Sequence, residues 1–289
     1  MSVKQYLAIA NPHASGFRTS VTERAVTTAL HAAGGRVSWQ TIESLTTLSS
    51  TQLAGFDGIL VIGGDGTVRS VAEHLLRHHI TVPLGIIPAG SANVLATSLR
   101  VPTRPNAIGY VTRGNTITID YARTDSGAIV LVAAAFGFLS NRVIATKKHF
   151  KRLFGGAGYL LSILGSPRLP RHAFSFTVDG EEYRVTGHTL FIANAVSIFG
   201  IHPRRRHDLT DGIYELVVTT NRSILSLPQL MYNFYFHDQP SKDFFIAHGK
   251  RFTIESSDNP HLLLDGEATP YTGTIAMDVV PRGLTIFMP

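Results

Sequence analysis

The run Gly58-Ile59-Leu60-Val61-Ile62 ends in Gly63-Gly64-Asp65-Gly66-Thr67 and passes directly into a stretch where Val71, Leu75 and His78 recur on one helical face. That order constrains the fold more than any other feature of the chain. An unbroken apolar run suits a strand buried on both faces, and a glycine-rich turn into a helix brings unpaired backbone N–H groups to the strand's carboxyl end. The scheme recurs. Residues 6–10 run into Asn11-Pro12-His13-Ala14-Ser15-Gly16, and residues 84–87 into Pro88-Ala89-Gly90-Ser91-Ala92-Asn93 and a helix over 92–99. A helix over 22–33 stopped by Gly34-Gly35, a strand over 36–41 and a weak helix over 48–53 fill the interval. Strands alternating with helices predict a parallel sheet covered by helices.

Past the proline-bounded turn at 100–105 the texture changes. Strands are expected at 116–124, 128–136, 173–178, 182–195, 212–219, 251–255 and 260–264, with Asp179-Gly180 as a hairpin signal and helices around 141–164 and 224–236. The expected fold class is therefore α/β plus β: a parallel-sheet nucleotide-binding domain at 1–115, then a mostly antiparallel β domain at 116–289. The last strand is able to pack back on the first domain. A length of 289 residues suits two domains, and 44% hydrophobic against 16% charged residues excludes a disordered chain. The absence of cysteine removes disulfides, thiolate metal sites and cysteine nucleophiles. No signal peptide is evident at the N-terminus, and the longest apolar run, 128–139, is too short to cross a bilayer as a helix. A soluble, cytoplasmic protein, at most peripheral on a membrane, is expected.

Each of the three loops lies beyond a parallel strand's carboxyl end, where open α/β folds bind ligands. Glycines let the backbone approach phosphate oxygens, and the helix after Thr67 presents N–H groups to an anion. Asp65 would repel phosphate unless a divalent cation stood between them. Taken singly, each loop also reads as an ordinary turn with a helix cap, Ser91 being one candidate cap. No Gly-x-x-x-x-Gly-Lys-Ser/Thr is present and no Gly-x-Gly-x-x-Gly opens the first helix, which excludes P-loop and ordinary dinucleotide folds.

Together, Asn11-Pro12…Ser15-Gly16, Gly63-Gly64-Asp65-Gly66-Thr67 and Pro88-Ala89-Gly90-Ser91-Ala92-Asn93 resemble the diacylglycerol kinase catalytic-domain family, which includes bacterial lipid kinases and sphingosine kinases. Leu264-Asp265-Gly266-Glu267 resembles its Asp-Gly-Glu motif, and Asp208…Asp211-Gly212-Ile213 its Asp-Gly-Leu segment. The resemblance implies a two-domain lipid kinase with ATP and Mg2+ in an interdomain cleft. It makes Asp265 the general base that takes the proton of a lipid hydroxyl. Asn11, Pro12, Ser15, Gly16, Thr41, Gly63, Gly64, Asp65, Gly66, Thr67, Ser70, Ser91, Asn93 and Glu267 would then form the ATP site. Asp65 would organise magnesium, while Asp208, Asp211 and the Ile213 carbonyl match a second metal site. Read without the resemblance, Asp265-Gly266 is a hairpin turn between 262–264 and 271–277. The chain departs from the family's pattern at Val94 and Leu139, where acidic residues are common, and at Asn194-Ala195, where Asn-Gly is usual.

A net charge of +6, from 26 basic and 20 acidic residues, admits anionic partners. Lys147, Lys148, Lys151 and Arg152 interleave with Phe150, Leu153, Phe154 and Tyr159, the pattern of a peripheral contact with an anionic membrane or of an amphipathic helix on the β domain. Arg204, Arg205 and Arg206 form a second basic cluster, and His74 and His78 a histidine pair without a third ligand. No nucleic-acid reader motif is present. A homodimer is compatible with the sequence. Two other functions stay open: an NAD kinase, which shares the Gly-Gly-Asp-Gly loop, and a nucleotide- or lipid-binding protein without turnover, motivated by Val94 and Leu139.

Overall fold

In a computed structural model, which describes residues 3–14, 16, 19–103, 105–137, 170–194, 209–220, 243–256, 261–271 and 273–289, the alternating apolar runs become a parallel sheet. Met1–Ile119 and Arg282–Pro289 form one compact unit and Asp120–Pro281 another. The first contains β1 (Lys4–Ala10), α1 (Thr19–Ala32), β2 (Gly35–Thr41), α2 (Ser50–Ala54), β3 (Gly58–Gly63), α3 (Asp65–Arg77), β4 (Leu84–Pro88) and α4 (Val94–Ser98). The strand order is β2-β1-β3-β4, all parallel, with Ala8 paired to both Trp39 and Leu60. All of β3 is buried, so both faces of the sheet are covered, as its unbroken apolar run requires. Val26 and Leu30 of α1 and Val71 and Leu75 of α3 are buried with it.

Several boundaries move for physical reasons. α2 starts at Ser50, not 48, because Ser49 and Gln52 cap each other reciprocally. α4 starts at Val94, not 92, because Asn93 takes a left-handed conformation with φ 50°. A 3-10 segment, Pro105–Arg113, buries Ile108, Tyr110 and Val111. Its three-residue repeat and its Pro105 and Gly109 mask it from helical periodicity.

The second unit takes in β5 (Thr116–Thr124) from Asp120 onward, β6 (Ile129–Val130), β7 (Ala133–Gly137), β8 (His172–Val178), β9 (Glu181–Gly187) and β10 (Thr189–Ala193). β11 (Tyr214–Thr219), β12 (Phe244–Gly249), β13 (Arg251–Ser256), β14 (His261–Leu264), β15 (Glu267–Pro270) and most of β16 (Gly273–Phe287) complete it. One antiparallel sheet runs β12-β11-β10-β7-β14-β15, and in another β16, β13, β8 and β9 follow in order. Phe136, Ile192 and Leu216 from the first share a core with Phe174, Phe252 and Met277 from the second, the packing of a β-sandwich.

The expected strand over 128–136 is broken at Leu131-Val132, and that over 182–195 at His188. β12 and β15 were not expected. Asp179-Gly180 is the hairpin turn its sequence signals, with φ 51° and 92°. Asp265-Gly266 also turns a hairpin, but its return strand is β15, not 271–277, which lies in β16. The last residues of β16 belong to the first unit, where Ile286 pairs with Leu84 of β4. The expected helices over 141–164 and 224–236 lie outside the described residues. Among the described residues, no helix is long and apolar enough to cross a membrane.

Candidate functional site

The chain turns from β1 to β2 on one side and returns through β3 on the other, so connections diverge above the carboxyl ends of β1 and β3. Such a reversal opens a crevice that the two flanking loops line. There the Asn11 N–H donates to the Ile62 carbonyl at 3.0 Å, and Asn11 Nδ2 donates to Thr67 Oγ1 at 3.0 Å. Asn11 Oδ1 takes the His13 N–H at 2.9 Å, so this one side chain braces its own loop against the glycine loop. The third loop joins through Ala89, whose N–H donates to the Gly63 carbonyl and whose carbonyl takes the Gly16 N–H, both at 2.9 Å. The structure thus brings the three sequence-predicted loops together.

Two glycines are there for loop-to-loop contact. A Cβ on Gly90 would stand 2.4 Å from the Gly64 Cα, and one on Gly64 would stand 3.0 Å from the Gly90 Cα. Backbone meets backbone, and no side chain fits between. Asn93 locks the Gly90 turn from below, its Oδ1 accepting from Gly90 N at 2.9 Å and its Nδ2 donating to Gly90 O at 2.8 Å. Gly64 is the N-cap of α3 and has no side chain with which to close the helix's first turn. The dipole and N–H groups of that thirteen-residue helix start at the loop cluster, an arrangement suited to an anion.

Asp65 does something the sequence did not signal. Its Oδ2 takes the Val94 N–H and its Oδ1 the Leu95 N–H, both at 3.0 Å, so it caps α4 from the first turn of α3. This is why α4 needs no cap of its own; Ser91 is exposed, and Asn93 occupies the N-cap position without capping through its side chain. Burial pushes the Asp65 carboxyl above its ordinary value, against the pull of the Leu95 and Val94 N–H groups. Thr41 ends β2 and accepts the Ser44 hydroxyl at its carbonyl, while Ser70 spends its hydroxyl on Gly66 O at 3.0 Å. Pro12 and Gly16 are exposed, and Ser15 lies outside the described residues.

In the second unit, Asp265 and Gly266 both adopt left-handed conformations at the β14–β15 turn, with φ 48° and 82°. The Asp265 carboxylate takes three consecutive backbone N–H groups: Leu131 at 2.9 Å, Val132 at 2.8 Å and Ala133 at 2.9 Å. Its own N–H donates to the Ala133 carbonyl at 2.9 Å. Two of these donors, Leu131 and Val132, are the residues that break the expected 128–136 strand. Glu267 is exposed at the start of β15.

Residues 5–124 match the diacylglycerol kinase catalytic domain. Over that stretch the chain is similar to this family. It is 29% identical over 244 residues to an uncharacterized protein of Synechocystis, covering 80% of this chain but only 54% of that one, about half its length. It is 28% identical over 264 residues to a protein of Pectobacterium atrosepticum named "Probable lipid kinase YegS-like", covering 88% of this chain and 85% of that one. Among solved structures, a "putative diacylglycerol kinase" from Bacillus anthracis shares the fold with a TM-score of 0.80, at 22% identity over 99% of this chain and 97% of that one. The matched stretch holds all three strand-end loops.

Some residues around Asp265 escaped the sequence reading. Tyr214 is fully buried, and its hydroxyl donates to Val130 O at 2.9 Å. Burial first, then the negative charge of Asp265, pushes that hydroxyl well above its ordinary value and keeps it protonated. Asn194 Nδ2 donates to Asp120 O at 3.1 Å, and buried Asp120 takes the Gly212 N–H at 2.6 Å. The only signal for this network was a lone polar atom on an otherwise apolar strand, which carries no message about what it will meet.

Magnesium, implied by the kinase resemblance, finds no protein-built site in what is described. Among the described residues no three His, Cys, Asp or Glu side chains gather to hold a metal ion. Both oxygens of Asp65 are engaged by α4. Asp211 is exposed and accepts the Ile213 N–H at 2.9 Å, Ile213 is exposed, and Asp208 lies outside the described residues. The rings of His74 and His78 are 4.6 Å apart, without a third ligand among the described residues. Leu139, the 147–152 basic cluster and Arg204, Arg205 and Arg206 also lie outside the described residues.

Proposed function

We propose that this chain is an ATP-dependent lipid kinase that moves the γ-phosphoryl group of ATP to a hydroxyl of diacylglycerol, a sphingoid base or a related lipid. The observation that carries the reading is the convergence of three strand-end loops at the β1–β3 reversal, beside the start of α3. In this reading the ATP phosphates lie along Gly63, Gly64, Gly66 and Thr67, with Asn11 and Asn93 holding the flanking loops in place. The lipid hydroxyl oxygen attacks the γ-phosphorus while its proton passes to the carboxylate of Asp265. The bond from phosphorus to the bridging oxygen breaks, and ADP leaves with the electron pair. Phosphoryl transfer depends on positioning more than on covalent chemistry, which suits loops held rigidly to one another. The acceptor is reached from an anionic membrane surface, with Lys147, Lys148, Lys151 and Arg152 as the attracting cations, so attachment to anionic vesicles weakens as salt is added.

Labelled ATP and magnesium, offered with a panel of lipids and with NAD, test the reading. Lipid phosphate should form with the native chain and disappear in Asp265→Ala. Phosphorylation of NAD alone ends the lipid assignment in favour of an NAD kinase. Bound ATP with no product from any acceptor leaves a nucleotide-binding protein without turnover.

A further inference from the structure

The Asp265 carboxylate accepts N–H groups that belong to one short segment, and the Tyr214 hydroxyl meets that segment at its upstream end. Val130, at the end of β6, gives its carbonyl to the Tyr214 hydroxyl at 2.9 Å. The next three residues give their N–H groups to Asp265 at 2.8–2.9 Å. Val132 O then takes the Asn194 N–H at 3.0 Å. Ala122 and Val130 face each other across the β5–β6 pair, and the Tyr214 hydroxyl donates to the Val130 carbonyl there. The hydroxyl therefore ties β11 to the end of β6 at the point where the chain leaves it to form the cradle. Leu216 and Val218, the next inward-facing residues of β11, are apolar and fully buried. A tyrosine in their row needs a partner for its oxygen, and it finds one in the Val130 carbonyl.

We infer that Tyr214 is a positioning residue: its hydroxyl fixes the Val130–Ala133 backbone so that the three N–H groups hold the Asp265 carboxylate in one orientation. This rests on the kinase reading for what Asp265 does, but the clamp itself is a property of the fold. Phenylalanine keeps the ring and removes only the atom that ties β11 to the end of β6 beside the cradle. The side chain would then fill its place in the sandwich while the cradle loosened.

The experiment combines amide hydrogen exchange with kinetics on the full chain. In Tyr214→Phe the amides of Leu131, Val132 and Ala133 should exchange about tenfold faster, while those of β8 and β13 keep their native rates. With ATP and the lipid acceptor, kcat should fall about tenfold and KM for ATP should stay within about twofold, since misplaced reacting groups lose rate before affinity. Ile254→Val, a core change in β13 away from the cradle, should lower the melting temperature and leave kcat and the three amides unchanged. The native chain alone gives a second measurement should Tyr214→Phe not fold: the Ala122 amide and the three cradle amides must open together, with one denaturant dependence. Unchanged cradle exchange in Tyr214→Phe, or independent opening in the native chain, overturns the clamp. Faster exchange with unchanged kcat overturns the positioning role and leaves the kinase reading standing. No lipid phosphate from the native chain, with the amides behaving as stated, overturns the kinase reading and leaves the clamp in place.

Discussion

Asp65 and Asp265 are each followed by glycine, and each turns its carboxylate back onto backbone N–H groups: two for Asp65, three for Asp265. The donors differ in kind. Those of Asp65 are the first N–H groups of a helix, 29 and 30 residues onward, so the aspartate ties two loops of one sheet together. Those of Asp265 lie 132 to 134 residues upstream in an extended segment that bends to meet it. Asp65 lies in ordinary helical backbone, whereas Asp265 lies at a turn tip with φ 48°. Under the proposed function one motif aspartate belongs to the frame and the other to the chemistry, although both accept backbone N–H groups.

The sharpest way to break that contrast is to neutralise each carboxylate in turn. Asp265→Asn should lower lipid phosphorylation by about 10²–10⁴-fold, the usual contribution of a positioned general base, with ATP affinity retained. Asp65→Asn should instead show first in the fold, since an amide offers N–H groups where α4 presents donors of its own. Its melting temperature should fall without nucleotide or magnesium present. Equal loss of turnover with no change in melting would make Asp65 a reaction group and erase the distinction.

The glycines sharpen it next. Gly90→Ala drives a Cβ to 2.4 Å from the Gly64 Cα, backbone against backbone, so the loops must part. Overpacking of this kind costs about 1–3 kcal/mol or more, and ATP affinity should fall with stability. Gly266→Ala meets nothing within 4 Å, but Gly266 sits at φ 82°, so only the left-handed strain of about 1–2 kcal/mol applies. Thermal melting of both variants with ATP titrations checks this. Gly90→Ala should lose nucleotide affinity and Gly266→Ala should keep it.

Much of the frame was legible in the sequence because it rests on short-range pattern. The apolar run of β3, the three strand-end loops and the Asp179-Gly180 hairpin are all local signals, and each appears where its residues place it. What escaped was long-range. The capping of α4 by Asp65 links positions whose spacing has no periodic signature. The break at Leu131-Val132 lies within an apolar stretch that reads as one strand, because the acceptor that bends it is Asp265, far along the chain. β15 follows its turn at once and carries Glu267, Ala268 and Pro270, poor strand residues that pairing with β14 overrides. Tyr214 reads as one more core aromatic until its hydroxyl's partners are known.

The smallest effect concerns pH and decides which force governs Asp65. Burial raises its folded-state pKa above the ordinary 3.8, while the N–H groups of Leu95 and Val94 act the other way. With burial dominant, the folded state holds the proton more tightly than the unfolded chain does. The aspartate's contribution to stability is then whole below 3.8 and is lost as pH rises through the higher folded-state value. Asp65→Asn has no such proton to lose. Urea unfolding of the native chain and Asp65→Asn in steps from about pH 4 to pH 8 should therefore show the native chain's advantage shrinking upward and then levelling. An advantage that grows with pH would mean that the helix N–H groups outweigh desolvation. Asp65 would then be a carboxylate held by its donors rather than one tolerated in spite of its burial.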